Sequence, residues 1–142
     1  MALNRVFDIA GSAMAAQATR LNTTASNLAN ADSVNGDATK VYRSRQPVFQ
    51  TTQTSFGALL GAERSALGVQ ITDIIESNAP LAQRYAPDHP EADADGNVYV
   101  SNVNTVEEMV NMLSASRSYQ SSIEIMNTTK ELLTQTLSMG RS

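Results

Sequence analysis

Residues 104–137 read NTVEEMVNMLSASRSYQSSIEIMNTTKELLTQTL, and their spacing decides the fold class. Met112, Tyr119, Met126 and Leu133 recur every seven residues, the interval of a helix packed along one seam. Ser116, Ile123, Lys130 and Leu137 stand four after each of these and form an imperfect companion row. Asn104 is placed to cap this helix, and Glu107 three residues on completes a capping-box pattern. Glu108 adds favourable charge near the first turn, and Gly140 marks the end.

The other end of the chain repeats the pattern. Phe7, Met14, Leu21 and Leu28 also fall seven apart, with Ala10, Ala18 and Ala25 interleaved at helical offsets. This predicts a helix from about Leu3 to Asn30, roughly 42 Å long. Apart from Arg5, Asp8 and Arg20 the segment is uncharged, and Ala, Ser, Thr, Asn and Gln dominate it. A solvated helix face carries more charge, so small neutral residues all round suit a helix covered by neighbours on several sides.

Between the helices the chain changes character. Ala31 to Thr39 reads as a helix stop and loop turning at Asn35-Gly36. Val69, Ile71 and Ile75 alternate with Gln70, Thr72 and Glu76, a strand pattern interrupted by Asp73 and Ile74. Leu81–Tyr85 and Asn97–Ser101 are further strand candidates, and all four prolines lie in this stretch. Residues 51–68, rich in Thr, Ser and Gly, read as a flexible insertion. The expectation is an α+β chain in three parts: an N-terminal assembly helix and loop over 1–35, a small β-rich middle over 36–103, and a C-terminal assembly helix over 104–142.

Composition narrows the function classes. Among 142 residues there is no Trp, with three Phe and four Tyr, too few large side chains for a big self-sufficient core. A formal charge of −4 with no basic face argues against a nucleic acid partner. The lack of cysteine removes disulfides, thiolate metal sites and thiol nucleophiles. Asp8, Gly11 and Ser12 interrupt the apolar run that a cleaved signal peptide needs. No stretch reaches the roughly 18 apolar residues of a membrane span. If the chain leaves the cytoplasm it is therefore expected to do so without a conventional cleaved signal, and no direct membrane insertion is expected.

Candidate chemistry is thin. The lone histidine, His89, sits in Pro87-Asp88-His89-Pro90, and a loop position between prolines fits a surface residue better than a general base held by an orienting acid. Glu91, Asp93, Asp95 and Gly96 mimic the start of an EF-hand loop. However, Asn102 stands where the closing bidentate Glu belongs, so a turn is the simpler reading. Gly57 and Gly61 form a small-xxx-small pair outside any apolar helix of membrane length. These readings predict a non-enzymatic protein with no cofactor and no metal site.

Longer motifs carry a resemblance. Ser12-Ala13-Met14-Ala15-Ala16-Gln17, Arg20-Leu21-Asn22 and the run from Ser26 to Ser33 resemble the N-terminal signature of flagellar rod and hook proteins. Ser101 to Met112 and Ser114 to Gln120 resemble the family's C-terminal signature. The short length, with Tyr42-Arg43, Pro47-Val48-Phe49-Gln50, Ala79-Pro80 and His89-Pro90, points within that family to the rod subunits. Where many members end the Asn-Ala-Asp stretch in a Thr-Pro-Gly-like sequence, this chain has Ser33-Val34-Asn35-Gly36.

The resemblance implies a structural subunit of the proximal rod that transmits torque across the periplasm, with its terminal helices forming an inner tubular layer. It further implies export through the flagellar type III apparatus and partnership with other rod proteins and copies of itself in a helical array. Met14, Leu21, Leu28, Met112, Tyr119, Met126 and Leu133 are the expected packing positions of the assembly interface. Asn27 and Asn30 are its expected polar members, since an amide both donates and accepts; helix termination is their simpler role. The rival reading is a helical-hairpin adaptor or chaperone of a type III secretion system.

Overall fold

The computed structural model describes residues 2–52 and 68–140. Helix α1 spans Ala2–Ala29 and helix α2 spans Thr105–Met139. Among the described residues between them are five strands: β1 (Val34–Asn35), β2 (Arg45–Thr51), β3 (Val69–Glu76), β4 (Ala82–Tyr85) and β5 (Asn97–Val100). The α+β expectation holds. The strand expectations near residues 69, 82 and 97 hold as well. Strand β2 was not anticipated, because Pro47 interrupts it and its apolar residues do not alternate. Strand β2 pairs with β3 in a two-stranded sheet, so it is an edge strand, where a proline is tolerated. The insertion read over 51–68, with Gly57 and Gly61, lies mostly outside the described residues. Of its ends, Thr51 closes β2 and the Thr52 amide donates to the Gly68 carbonyl at 2.9 Å.

Two compact units form. One contains Met1–Thr19, Val48–Asp73 and Ser114–Ser142. Among its described residues the buried positions are Ala10, Ala16, Ala115, Ser122 and Thr129, all small. Ser12 anchors β3 there: its Oγ accepts from the Val69 amide at 3.1 Å and donates to the Ile9 carbonyl at 2.8 Å.

The other unit contains Arg20–Pro47 and Ile74–Leu113. It holds a three-stranded sheet in the order β1-β5-β4. Val34 pairs with Val100 and Asn35 with Tyr99, while Ala82 to Tyr85 pair antiparallel with Val100 to Asn97. Val98, at the centre of the middle strand, is completely buried. Among the described residues no Leu, Ile, Met or Phe is fully buried, so the scarcity of large core side chains expected from composition is real.

The acidic stretch is a turn. Asp93 Oδ1 accepts from the amides of Asp95 (3.0 Å) and Asn97 (2.7 Å), and Gly96 takes a positive φ of 76°. A side-chain oxygen that bonds its own backbone two residues on is the usual device of such turns. His89 belongs to the same loop: its Nδ1 accepts from the Glu91 amide at 3.1 Å.

Gly36 follows β1 at a close backbone crossing. A Cβ there would stand 2.6 Å from the Glu91 carbonyl oxygen and 3.0 Å from the Asp93 amide. Both are main-chain atoms, so the contact cannot be relieved by a rotamer change. Gly36→Ala is expected to destabilise the chain by about 1–3 kcal/mol, the usual range for overpacking. Urea denaturation checks this; an unchanged midpoint would show that the crossing is looser than described.

Candidate assembly surfaces

The best-built polar site lies in the unit that carries the three-stranded sheet. Asn27, only 1% exposed, sits in the last turns of α1. Its Nδ2 donates to the Arg45 carbonyl (2.8 Å) and to Glu108 Oε1 (3.0 Å). Its Oδ1 accepts from the Arg45 amide (2.9 Å) and the Tyr42 hydroxyl (2.9 Å). Two donors and two acceptor sites are the full capacity of an amide, and all four are used within the chain.

Asn102 holds the preceding residue by its amide alone. Its Oδ1 accepts from the Ser44 amide at 2.8 Å, and its Nδ2 donates to the Ala79 carbonyl at 3.1 Å. Two asparagines thus hold the backbone of consecutive residues at the entry to β2. Arg20 adds a bond from its Nη2 to Asn111 Oδ1 at 3.1 Å. Asn30 turns its amide back to the Ser26 carbonyl at 2.8 Å, a helix-terminating bond.

The cap on α2 forms as expected. Asn104 Oδ1 accepts from the amides of Val106 (3.1 Å) and Glu107 (3.3 Å). Glu108, assigned only a favourable charge from sequence, is instead buried and bonded to Asn27. Its signal was available: an acidic residue four before Met112 lies on the seam side of the helix.

Met14, Leu21, Leu28, Met112, Tyr119, Met126 and Leu133 are all half-buried. The companion rows differ from expectation. On α2 the fully buried row is Glu108, Ala115, Ser122 and Thr129, three residues after each seam position where one precedes it. Ser116 and Ile123 are half-buried, while Lys130 and Leu137 are exposed. On α1 the row is less regular: Ala10 and Thr24 are buried three after Phe7 and Leu21, Gln17 and Ala18 are half-buried, and Ala25 is exposed. Small and hydroxylated side chains occupy the closest approach, which a search for large apolar residues passes over.

Alpha-helix α2 also exposes apolar residues away from that row. Val106, Met109, Val110 and Leu113 remain 55–69% exposed in the sheet-bearing unit. At helical spacing they share one face, roughly opposite Glu108 and Ala115. Ile125, Leu132 and Met139, seven apart, are exposed in the other unit.

Comparison with known proteins identifies the lineage. Residues 7–36 match the family model described as flagella basal body rod protein, and residues 94–139 match the model of the flagellar basal body rod FlgEFG protein C-terminal region. The flagellar basal-body rod protein FlgC of Escherichia coli O6:H1 is 51% identical over 99% of this chain and 100% of its own length. Its counterpart in Salmonella typhimurium shows the same identity and coverage. That of Buchnera aphidicola from Acyrthosiphon pisum is 41% identical over 99% of both chains.

The chain belongs to the flagellar basal-body rod protein family. It is a structural subunit of the bacterial flagellar basal-body rod and not an enzyme. The adaptor or chaperone reading is not favoured.

Truncating Asn27 strands up to four polar groups at once. Asn27→Ala is expected to cost about 2–4 kcal/mol, because each group left dry and unpaired costs about 1–3. Asn27→Asp is expected to be similarly damaging, since it sets an acceptor against the Arg45 carbonyl and Glu108. Denaturant unfolding decides; a loss below about 0.5 kcal/mol for Asn27→Ala would mean that water replaces the amide.

Proposed function

We propose that this chain forms part of the proximal, periplasmic rod, packing against copies of itself and other rod proteins in a helical array that transmits torque. The observation that carries this reading is the double-sided character of α2. One face buries Ala115, Ser122 and Thr129 within the chain, while Val106, Met109, Val110 and Leu113 lie exposed on another. Apolar faces of this kind mark protein contact surfaces. Met14, Leu21, Leu28, Met112, Tyr119, Met126 and Leu133, each with surface left over, are the packing positions of that assembly interface. Asn27 and Asn30 serve it from behind, by fixing where α1 ends and how β2 begins.

Export through the flagellar type III apparatus without signal cleavage is part of the same proposal. Its support is membership of the rod family, together with Asp8, Gly11 and Ser12, which interrupt the apolar run that a cleaved signal needs. Among the described residues, no helix is long and apolar enough to cross a membrane.

Charge placed on the seams tests the reading. Leu21→Asp and Tyr119→Asp put a carboxylate where an assembled rod buries the side chain, costing several kcal/mol if it stays unpaired. Cells carrying either variant are expected to export the subunit but complete no rod and fail to swim. His89→Ala cells are expected to swim normally. Normal rods from both seam variants, with export verified separately, would defeat the proposal. So would loss of motility from the His89 change despite intact assembly.

A further inference from the structure

The sheet-bearing unit contains a polar cleft of about 430 Å³ whose lining includes Ser33, Lys40, Tyr42, Arg43, Arg45 and Glu76. Three cations against one carboxylate is an unusual concentration in a chain of net charge −4. Their present partners leave charge to spare. Lys40 Nζ stands 3.8 Å from Asp37, which lies beside the cleft, in a well-exposed pair. The Asp37 carboxyl is held below its ordinary value by the Thr39 hydroxyl and amide first, with Lys40 a lesser cause. Arg45 meets Glu76 at 2.9 Å with both side chains about half exposed. Arg43 donates to the carbonyls of Ser77 and Ala79 (both 3.2 Å), which do not neutralise it. Exposed pairs of this kind are weak and screened, and an arriving carboxylate competes with them readily. Ser33 Oγ, also in the lining, is buried without a hydrogen-bond partner.

Complementary chemistry exists on the other unit. On α2, Glu124 and Glu131 are exposed, seven residues apart, and in no ion pair among the described residues. Each is followed by an exposed apolar residue, Ile125 and Leu132, so an acidic–apolar pair repeats about every 10.5 Å along the helix. Glu76 of the cleft is likewise preceded by the exposed Ile74 and Ile75.

We infer that the cleft receives the Glu124–Leu132 strip of α2 from a second copy of this chain. The inference rests on the self-association proposed above and names the surfaces that meet. The two surfaces differ, so the contact is heterologous: it extends from copy to copy and does not pair them face to face.

The chain has no cysteine, which makes disulfide trapping clean. Chains carrying Lys40→Cys with Glu124→Cys or Glu131→Cys, oxidised in isolated basal bodies, are expected to give a ladder of dimers and higher oligomers. The single-cysteine variants are expected to give none. In parallel, Lys40→Glu, and Glu124→Lys with Glu131→Lys, are each expected to cut the swimming fraction at least tenfold. Combining all three in one chain should restore it to within threefold.

No ladder from either pair, while a general amine-reactive cross-linker still joins copies, would overturn this contact and leave self-association standing. If that reagent also joins no copies, self-association fails and this contact with it. A disulfide to a different polypeptide, identified by mass spectrometry, would assign the cleft to another partner and overturn the second-copy assignment. Charge-reversed chains that circular dichroism shows to be folded, but that the combination does not rescue, would count equally against it.

Discussion

In the sheet-bearing unit the junction of α1, the start of β2 and α2 depends on one side chain, the amide of Asn27. It bonds both the amide and the carbonyl of Arg45, so it presents to β2 what a neighbouring strand would present. Its remaining donor and acceptor reach Glu108 on α2 and Tyr42. A buried polar group is costly unless every bond is made, and here all are made. The same fourfold demand makes the arrangement selective, because a shift of α1 by one residue would remove Asn27 from all its partners together. Buried polar residues are known to fix register in helical assemblies, usually at some cost in stability. In this chain the role suits a part that must present its surfaces to neighbours in one fixed geometry.

The unit containing both distal helix segments is built differently. Among its described residues Ala10, Ala16, Ala115, Ser122 and Thr129 are the buried positions, while Phe7, Met14, Tyr119 and Met126 are only half covered. Small side chains permit close approach but bury little apolar area apiece, and hydrophobic stabilisation scales with that area. Ordering long helices on such contacts alone is marginal. Surface left uncovered on Met14, Tyr119 and Met126 is what an array of subunits has available to bury.

Much of this was legible in the sequence where periodicity was strong. Both helices, the Asn104 cap, three of the strands and the turn at Asp93 follow from spacing and from local side-chain chemistry. The rest escaped for identifiable reasons. The buried companion row of α2 lies one residue before Ser116, Ile123 and Lys130, because Ser122 and Thr129 do not look like core whereas Ile123 does. Strand β2 carries no alternation, being held at its start by Asn27 and Asn102 from distant parts of the chain. Tyr42 and Arg45 entered only as family-like residues or not at all, since nothing local marks a side chain whose partner is 15 or more residues away. Glu108 was read by its charge, when its position on the seam was the telling feature.

The central claim is that the Asn27 junction orders its unit without help from neighbours, while the distal helices rely on assembly. Native-state hydrogen exchange on a verified monomer tests it most directly, because local opening free energies are read residue by residue. The account predicts the slowest exchange at residues 22–30, at Arg45 and at residues 107–112. It predicts falling protection along α2 beyond residue 114 and along α1 before residue 19. Uniformly strong protection along both helices, or amides of the Asn27 junction exchanging first, would contradict it.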